Sequence, residues 1–239
     1  QSDSINVTVA AVPTISVNAV TVGSGLQPST SFFLGAGNHG GVSVTLTSAD
    51  PAVLLSPNAT TAGTSQITIP VANGVQSVGF YVQGLEGQTQ AVPSVVTASA
   101  PGFSNGTVTM TVVQAGITVN GLPGTTTTLS ASSAVYAYVG VPLGNGVSPV
   151  QNLRVGGPGN LTVTFTSPAG VGELLKAGTA AGTTQTAQIV PQTYYTPFDT
   201  TSGGVAFHPL SSGTTTVSVS APGFITTTNA TQTTTVSQA

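Results

Sequence analysis

The sequence predicts an all-β protein built from two β-sandwich modules in series. Three observations carry that expectation: a composition of strand formers, apolar residues at every second position, and short motifs that return once in the same order. Only 3% of the 239 residues are charged, against about 25% in an average soluble chain, so the helix formers Glu, Lys and Arg are nearly missing. Val, Ile and Thr take their place, and their branched Cβ atoms suit a pleated surface. With 39% hydrophobic residues and a net charge of −3, the chain lacks the low hydrophobicity and high charge of disordered proteins.

The repeat organises the chain. ISVN at residues 15–18 returns as ITVN at 117–120, VTLTS at 44–48 as VTFTS at 163–167, and TVVQA at 111–115 as TVSQA at 235–239. SAPGF at 99–103 returns unaltered at 220–224. The landmarks keep their order while their spacing grows, so the second copy is the longer one. These landmarks divide the chain into residues 15–116 and 117–239, preceded by a strand and linker over 1–14. The spacing jumps most between Asn120 and Val163, which places an insertion around 139–160, in a Gly/Pro-rich stretch suited to a loop or an added hairpin.

Within each copy the period is two. Val42, Val44 and Leu46 alternate with Ser43, Thr45 and Thr47; Val78, Phe80 and Val82 alternate with Gly79 and Tyr81; Val108, Met110 and Val112 alternate with Thr107, Thr109 and Thr111. Val217 and Val219 continue the pattern in the second copy. This is the signature of antiparallel strands with one face on a core and one in water. Turn dipeptides such as Asp50-Pro51, Asn73-Gly74, Pro101-Gly102 and Pro123-Gly124 separate the strands. The Pro-Gly of each SAPGF fits the central positions of a type II turn, which brings Phe103 or Phe224 onto the core.

Some seven short strands in about 100 residues is the immunoglobulin-like sandwich pattern, here without the Cys and Trp signature of antibody domains. The run VSVTLTSADPAVLL…ITIPVANGVQSVGFYVQGLEGQT…SVVTASAPGFSNGTVTMTV resembles bacterial immunoglobulin-like repeats, found in tandem in large secreted and surface-anchored proteins. The resemblance implies two tandem immunoglobulin-like sandwiches, an extracellular or cell-surface location, and a role as stalk, spacer or adhesin shaft. It implies no enzymatic activity.

The stretch INVTVAAVPTISVN reads as a last strand, a linker and a first strand. Ile5, Val7 and Val9 are therefore candidates for an assembly strand, belonging to an upstream repeat, adding to an edge of the first module, or completing a neighbouring molecule by strand addition. Copies of the same protein or adjacent repeats are the partners expected, because so few charges stand guard over the sandwich edges.

Two cations, Arg154 and Lys176, are too few for a nucleic-acid surface, and no run of about 18 apolar residues would insert in a membrane. Without Cys there are no disulfides and no zinc–thiolate sites. His39, His208 and the five acids Asp3, Asp50, Glu86, Glu173 and Asp199 form no metal-ligand or catalytic spacing, so neither cofactor nor metal nor catalytic residue is expected. Asn6, Asn58, Asn105, Asn160 and Asn229 head Asn-x-Ser/Thr sequons and are candidate glycosylation sites. Tyr136 and Tyr138, with Tyr194 and Tyr195, are the candidate ligand contacts, through stacking on surface glycans. The function expected is a non-enzymatic extracellular shaft or fibre subunit, with a carbohydrate-binding or cell-adhesion module as the alternative.

Overall fold

A computed structural model describes residues 11–239. The candidate assembly strand with Ile5, Val7 and Val9, and the sequon at Asn6, lie outside the described residues. The first module contains β1 (Ile15–Val17), β2 (Thr21–Gly23), β3 (Leu26–Gln27), β4 (Ser29–Leu34), β5 (Val42–Ser48), β6 (Val53–Ser56), β7 (Gln66–Val71), β8 (Ser77–Gly84), β9 (Val92–Ser99) and β10 (Gly106–Val113). One layer has the order β1-β4-β8-β6 and the other β2-β10-β9-β5-β7.

The second module contains β11 (Gly116–Asn120), β12 (Thr125–Thr127), β13 (Ser133–Leu143), β14 (Gly146–Val150), β15 (Asn152–Leu153), β16 (Leu161–Thr166), β17 (Gly172–Leu175), β18 (Thr184–Ile189), β19 (Val205–Pro209), β20 (Gly213–Ser220), β21 (Ile225–Thr226) and β22 (Thr231–Ser237). Its layers, β21-β11-β13-β19-β17 and β12-β22-β20-β16-β18, keep the strand order of the first module and add β21 beside β11 and β14 beside β13. The protein is thus all-β, two immunoglobulin-like sandwiches in tandem. In both modules the first strand of the five-stranded sheet lies parallel to the last, with Thr21 beside Thr111 and Thr125 beside Thr235.

Each module has its own core, formed by the inward residues of the alternating strands. Phe32, Leu46, Leu55, Phe80, Val96 and Met110 are wholly buried in the first, where the rings of Phe32 and Phe80 meet at 6.3 Å. Ile117, Phe165, Leu174, Phe207 and Val217 are wholly buried in the second. Burying a side chain of this size contributes about 1.5–3 kcal/mol, so a handful of positions per module dominates its stability.

The edges are protected with little charge. The edge strands β1, β2 and β12 have three residues each, and the edge strand β7 carries Pro70. On the edge strand β18, Lys176 Nζ donates to the Thr186 carbonyl at 2.6 Å. Shortness, a proline and one lysine are the usual ways of blunting an edge, and they replace the exposed charges that the sequence lacks.

The two SAPGF corners are the same turn. Phe103 N donates to Ala100 O, and Phe224 N to Ala221 O, each at 3.2 Å. Gly102 and Gly223 have φ of 80° and 81°, and Phe103 and Phe224 pack against their cores. A Cβ at either glycine would touch nothing, so a substitution there is opposed by the backbone alone. Gly102→Ala is expected to lower the unfolding free energy by about 1 kcal/mol in urea titration, and Gly102→Asn by less. Equal stability of all three proteins would refute the turn assignment.

Candidate functional site

The module junction is built by the insertion of the second copy. β13 runs on to Leu143, turns, and returns as β14, so the added residues form a hairpin. The chain then leaves its own sheets and lays β15 against β3 of the first module, with Asn152 opposite Gln27 and Leu153 opposite Leu26. Arg154 N extends this ladder to Gly25 O at 3.0 Å. Leu26, a residue of the first module, is fully buried in the core of the second.

Three buried amides complete the junction. Gln151 accepts from Gly23 N at 2.8 Å through Oε1 and donates to Thr21 O at 2.8 Å through Nε2. Gln27 Oε1 accepts from Val155 N and Gln83 Nε2, both at 3.0 Å, while its Nε2 donates to Ala59 O at 2.9 Å. These glutamines are at most 3% exposed, and each pairs a backbone group that would otherwise be stranded away from water. Beside them Arg154 clasps Glu86 in two parallel bonds, Nε to Oε1 and Nη2 to Oε2, each 2.6 Å. It is the one ion pair among the described residues, and it joins the two modules. Gly157 passes so close that a Cβ there would lie 2.5 Å from Glu86 Oε1. The Pro222–Gly223 corner of the second module lines the same cleft as Glu86 and Leu153, and Gln114 Nε2 donates to Gly223 O at 3.2 Å.

A second addition lies next to the first. Residues 72–76 connect β7 to β8, whereas residues 190–204 connect β18 to β19. The longer connection is laced to β13 by Val139 N to Tyr194 O and Thr196 N to Ala137 O, both 2.9 Å. It is laced to the strap by Leu153 N to Thr193 O at 2.8 Å and Gln192 N to Leu153 O at 2.9 Å. The buried Thr196 Oγ1 accepts from Ala137 N at 3.0 Å. Both additions therefore meet on the outer face of one sheet.

That face carries the aromatic residues. Tyr136 and Tyr138 point outward from β13 and line an open groove of about 400 Å³ with Tyr194, Tyr195, Phe198 and, from the hairpin, Val147 and Val150. Phe198 meets Tyr136 edge-on at 4.6 Å and stacks on Tyr195 at 4.8 Å, and Tyr194 abuts Tyr195 at 4.9 Å. The structure thus brings together all four tyrosines singled out in the sequence. Phe198 was not among them; its signal is its place in the longer connection. Arg154, one of only two cations in the chain, has its partner Glu86 in the other module, and nothing in the local sequence marks the buried glutamines.

The titratable groups serve the fold. His39 Nε2 lies 3.0 Å from Val75 O, and its Nδ1 accepts from Gly41 N at 3.2 Å. Asp50 Oδ1 accepts from Ala52 N at 2.8 Å. His208, half-buried, faces Ser132 Oγ at 3.1 Å through Nδ1 and stands opposite Glu173 in the ladder, but no ion pair joins the two. Among the described residues no cluster of His and acids could hold a metal ion. Asn58, Asn105, Asn160 and Asn229 are all exposed, and Asn58 Oδ1 accepts from the hydroxyl of Thr60 within its own sequon at 2.9 Å. No described helix is long and apolar enough to cross a membrane.

Two outcomes are expected. Gln151→Leu orphans Gly23 N and Thr21 O, and should cost about 1–3 kcal/mol in denaturant titration; an unchanged midpoint would show that water replaces the amide. At Asp199, hydrogen bonds from Thr201 Oγ1 and from Ser202 hold the carboxyl below its ordinary pKa. Because the folded-state pKa is the lower one, the loop is intact above the unfolded value and loosens as pH falls through the folded one. In an NMR titration the Asp199 carboxyl should protonate below a free Asp while the Ser202 amide shifts with it, and Asp199→Asn should abolish that step.

No family model matches the sequence, and no curated protein matches it. Among solved structures, the chain is similar to the Yersinia pseudotuberculosis adhesin InvE, with 12% identity over 94% of this chain and 58% of the adhesin, at a TM-score of 0.34. It is similar to the calcium-binding domain CBD12 of CALX1.1, with 8% identity over 86% of this chain and 79% of that one, at a TM-score of 0.30. Red sea bream transglutaminase gives 12% identity over 96% of this chain and 32% of the enzyme, at a TM-score of 0.28. The chain thus spans 58% of the adhesin's length, and TM-scores this low bear on neither activity nor partners.

Proposed function

We propose that this chain is a stiff, non-enzymatic spacer of an extracellular surface protein, its two modules held at one fixed angle. The observation that carries this reading is the braced junction: a strand ladder, a buried glutamine network and a two-pronged ion pair, in each of which a segment that the first module lacks reaches across to that module. A short linker alone restrains two modules, whereas a hydrogen-bonded strap removes most of their remaining relative freedom. The charge-poor surface suits the same task, since a shape with few ionisable groups changes little with pH or salt. His39, Asp50 and Asp199 are occupied with turns and Glu86 with the junction, which favours a structural role over catalysis.

The chain has no native Cys, so spin labels can be placed cleanly at Ser43→Cys and Thr166→Cys, one on each module. Pulsed electron–electron resonance should give one narrow distance distribution. A broad distribution in the otherwise unaltered protein would sink the proposal. The Arg154 side chain is 7% exposed and that of Glu86 34%, so the two members of the ion pair are not equivalent. Glu86→Ala strands a buried guanidinium and should cost about 2–3 kcal/mol and broaden the distribution. Arg154→Met leaves a carboxylate that water can reach, and should disturb both readouts less.

A further inference from the structure

We infer that the outer face of the second module is a binding site for neutral carbohydrate, an oligosaccharide of several pyranose units seated along the aromatic groove. This inference is independent of the spacer role. The protein has five tyrosines, and all five line two adjoining depressions that share Tyr194 and Val150. The first holds Tyr136, Tyr138, Tyr194 and Tyr195. The second crosses the junction to Tyr81 of the first module. Core packing does not account for this placement, because the four large aromatics of the two cores are phenylalanines: Phe32, Phe80, Phe165 and Phe207. Tyr194 and Phe198 remain 37% and 48% exposed, which is far more than packing requires. The aromatic wall exists only in the second module, where both added segments converge to form it.

The chemistry of the lining selects the ligand. Among the described residues no charged side chain lines either depression, which disfavours acidic saccharides and charged peptides. Ring faces accept the apolar C–H faces of pyranose rings, and tyrosine offers a large rigid surface at small entropic cost. No hydrogen bond joins a tyrosine hydroxyl to another described residue. Phenol hydroxyls, together with the amides of Asn120 and Asn152 on the rims, both donate and accept, as sugar hydroxyls do. A proline-rich peptide would use the ring faces but offers only carbonyl acceptors, so it matches fewer of these groups. The continuity of the two depressions across a braced junction favours an extended chain over a single sugar.

The test is titration of the whole chain with cellohexaose, chitohexaose and maltohexaose, followed by calorimetry and by backbone amide shifts. Hexagalacturonate and decaproline serve as contrasts. Binding of at least one neutral hexasaccharide is expected, with shifts centred on residues 136–138 and 194–198. Tyr195→Ala should weaken it about tenfold, the loss typical of truncating an aromatic anchor. Tyr138→Phe, which keeps the ring, should weaken it less. If Tyr195→Ala fails to fold, the shift map of the unaltered protein decides. The inference is overturned if no neutral hexasaccharide binds, if the shifts map elsewhere, if only hexagalacturonate binds, or if decaproline alone occupies the groove.

Discussion

The ladder between β15 and β3 fixes how the two modules meet, and much of the surrounding chemistry exists to keep that ladder dry. A two-residue strand pair has little stability of its own, since isolated short strands are marginal in water. Here one of its own residues, Leu26, is buried in the neighbouring core, and the Arg154–Glu86 clasp adjoins it. The glutamines Gln27, Gln83 and Gln151 then satisfy the backbone groups that burial would strand. Removing any one of the glutamines or either member of the ion pair leaves polar groups unpaired in a low-dielectric setting, where they are costly. The junction is therefore cooperative, and its members belong together.

The spending of charge follows the same logic. With two cations available, the protein uses one across the junction and the other on the Thr186 carbonyl of an edge strand. Asp50 and Asp199 hold turns. Elsewhere hydroxyls and amides carry the polar surface, and the stability of the modules rests on their phenylalanine and aliphatic cores. Such an exterior leaves aromatic side chains as its most distinctive chemistry, which is why their gathering on one face matters.

Much of the fold was legible in the sequence because it is written in periodicity. Val44 and Leu46, Phe80 and Val82, Met110 and Val112, and Val217 and Val219 alternate inward as their spacing requires, and the SAPGF corners turn where proline and glycine demand. The insertion was visible as a break in the repeat, and the choice between loop and hairpin resolved as a hairpin. What it touches was not visible, because β15 pairs with a strand more than a hundred residues earlier and no local pattern encodes a partner that distant. Tyr136 and Tyr138 were readable as outward residues of one strand. Their meeting with Tyr194, Tyr195 and Phe198 depends on how a long connection folds back, which composition does not specify. The sequence raised unprotected edges as a route to self-assembly; Pro70, Lys176 and the short edge strands weaken that route by protecting the edges in other ways.

The parallel pairing of first and last strands in the five-stranded sheets, β2 with β10 and β12 with β22, has a mechanical consequence. When the two ends of a module are drawn apart, strands that run the same way are loaded along their length. Their hydrogen bonds are then sheared as a group, whereas a hairpin pulled open at its free end gives way one rung after another. The strap across the junction links one sheared unit to the next. A tether built this way yields little under tension until a whole ladder lets go at once.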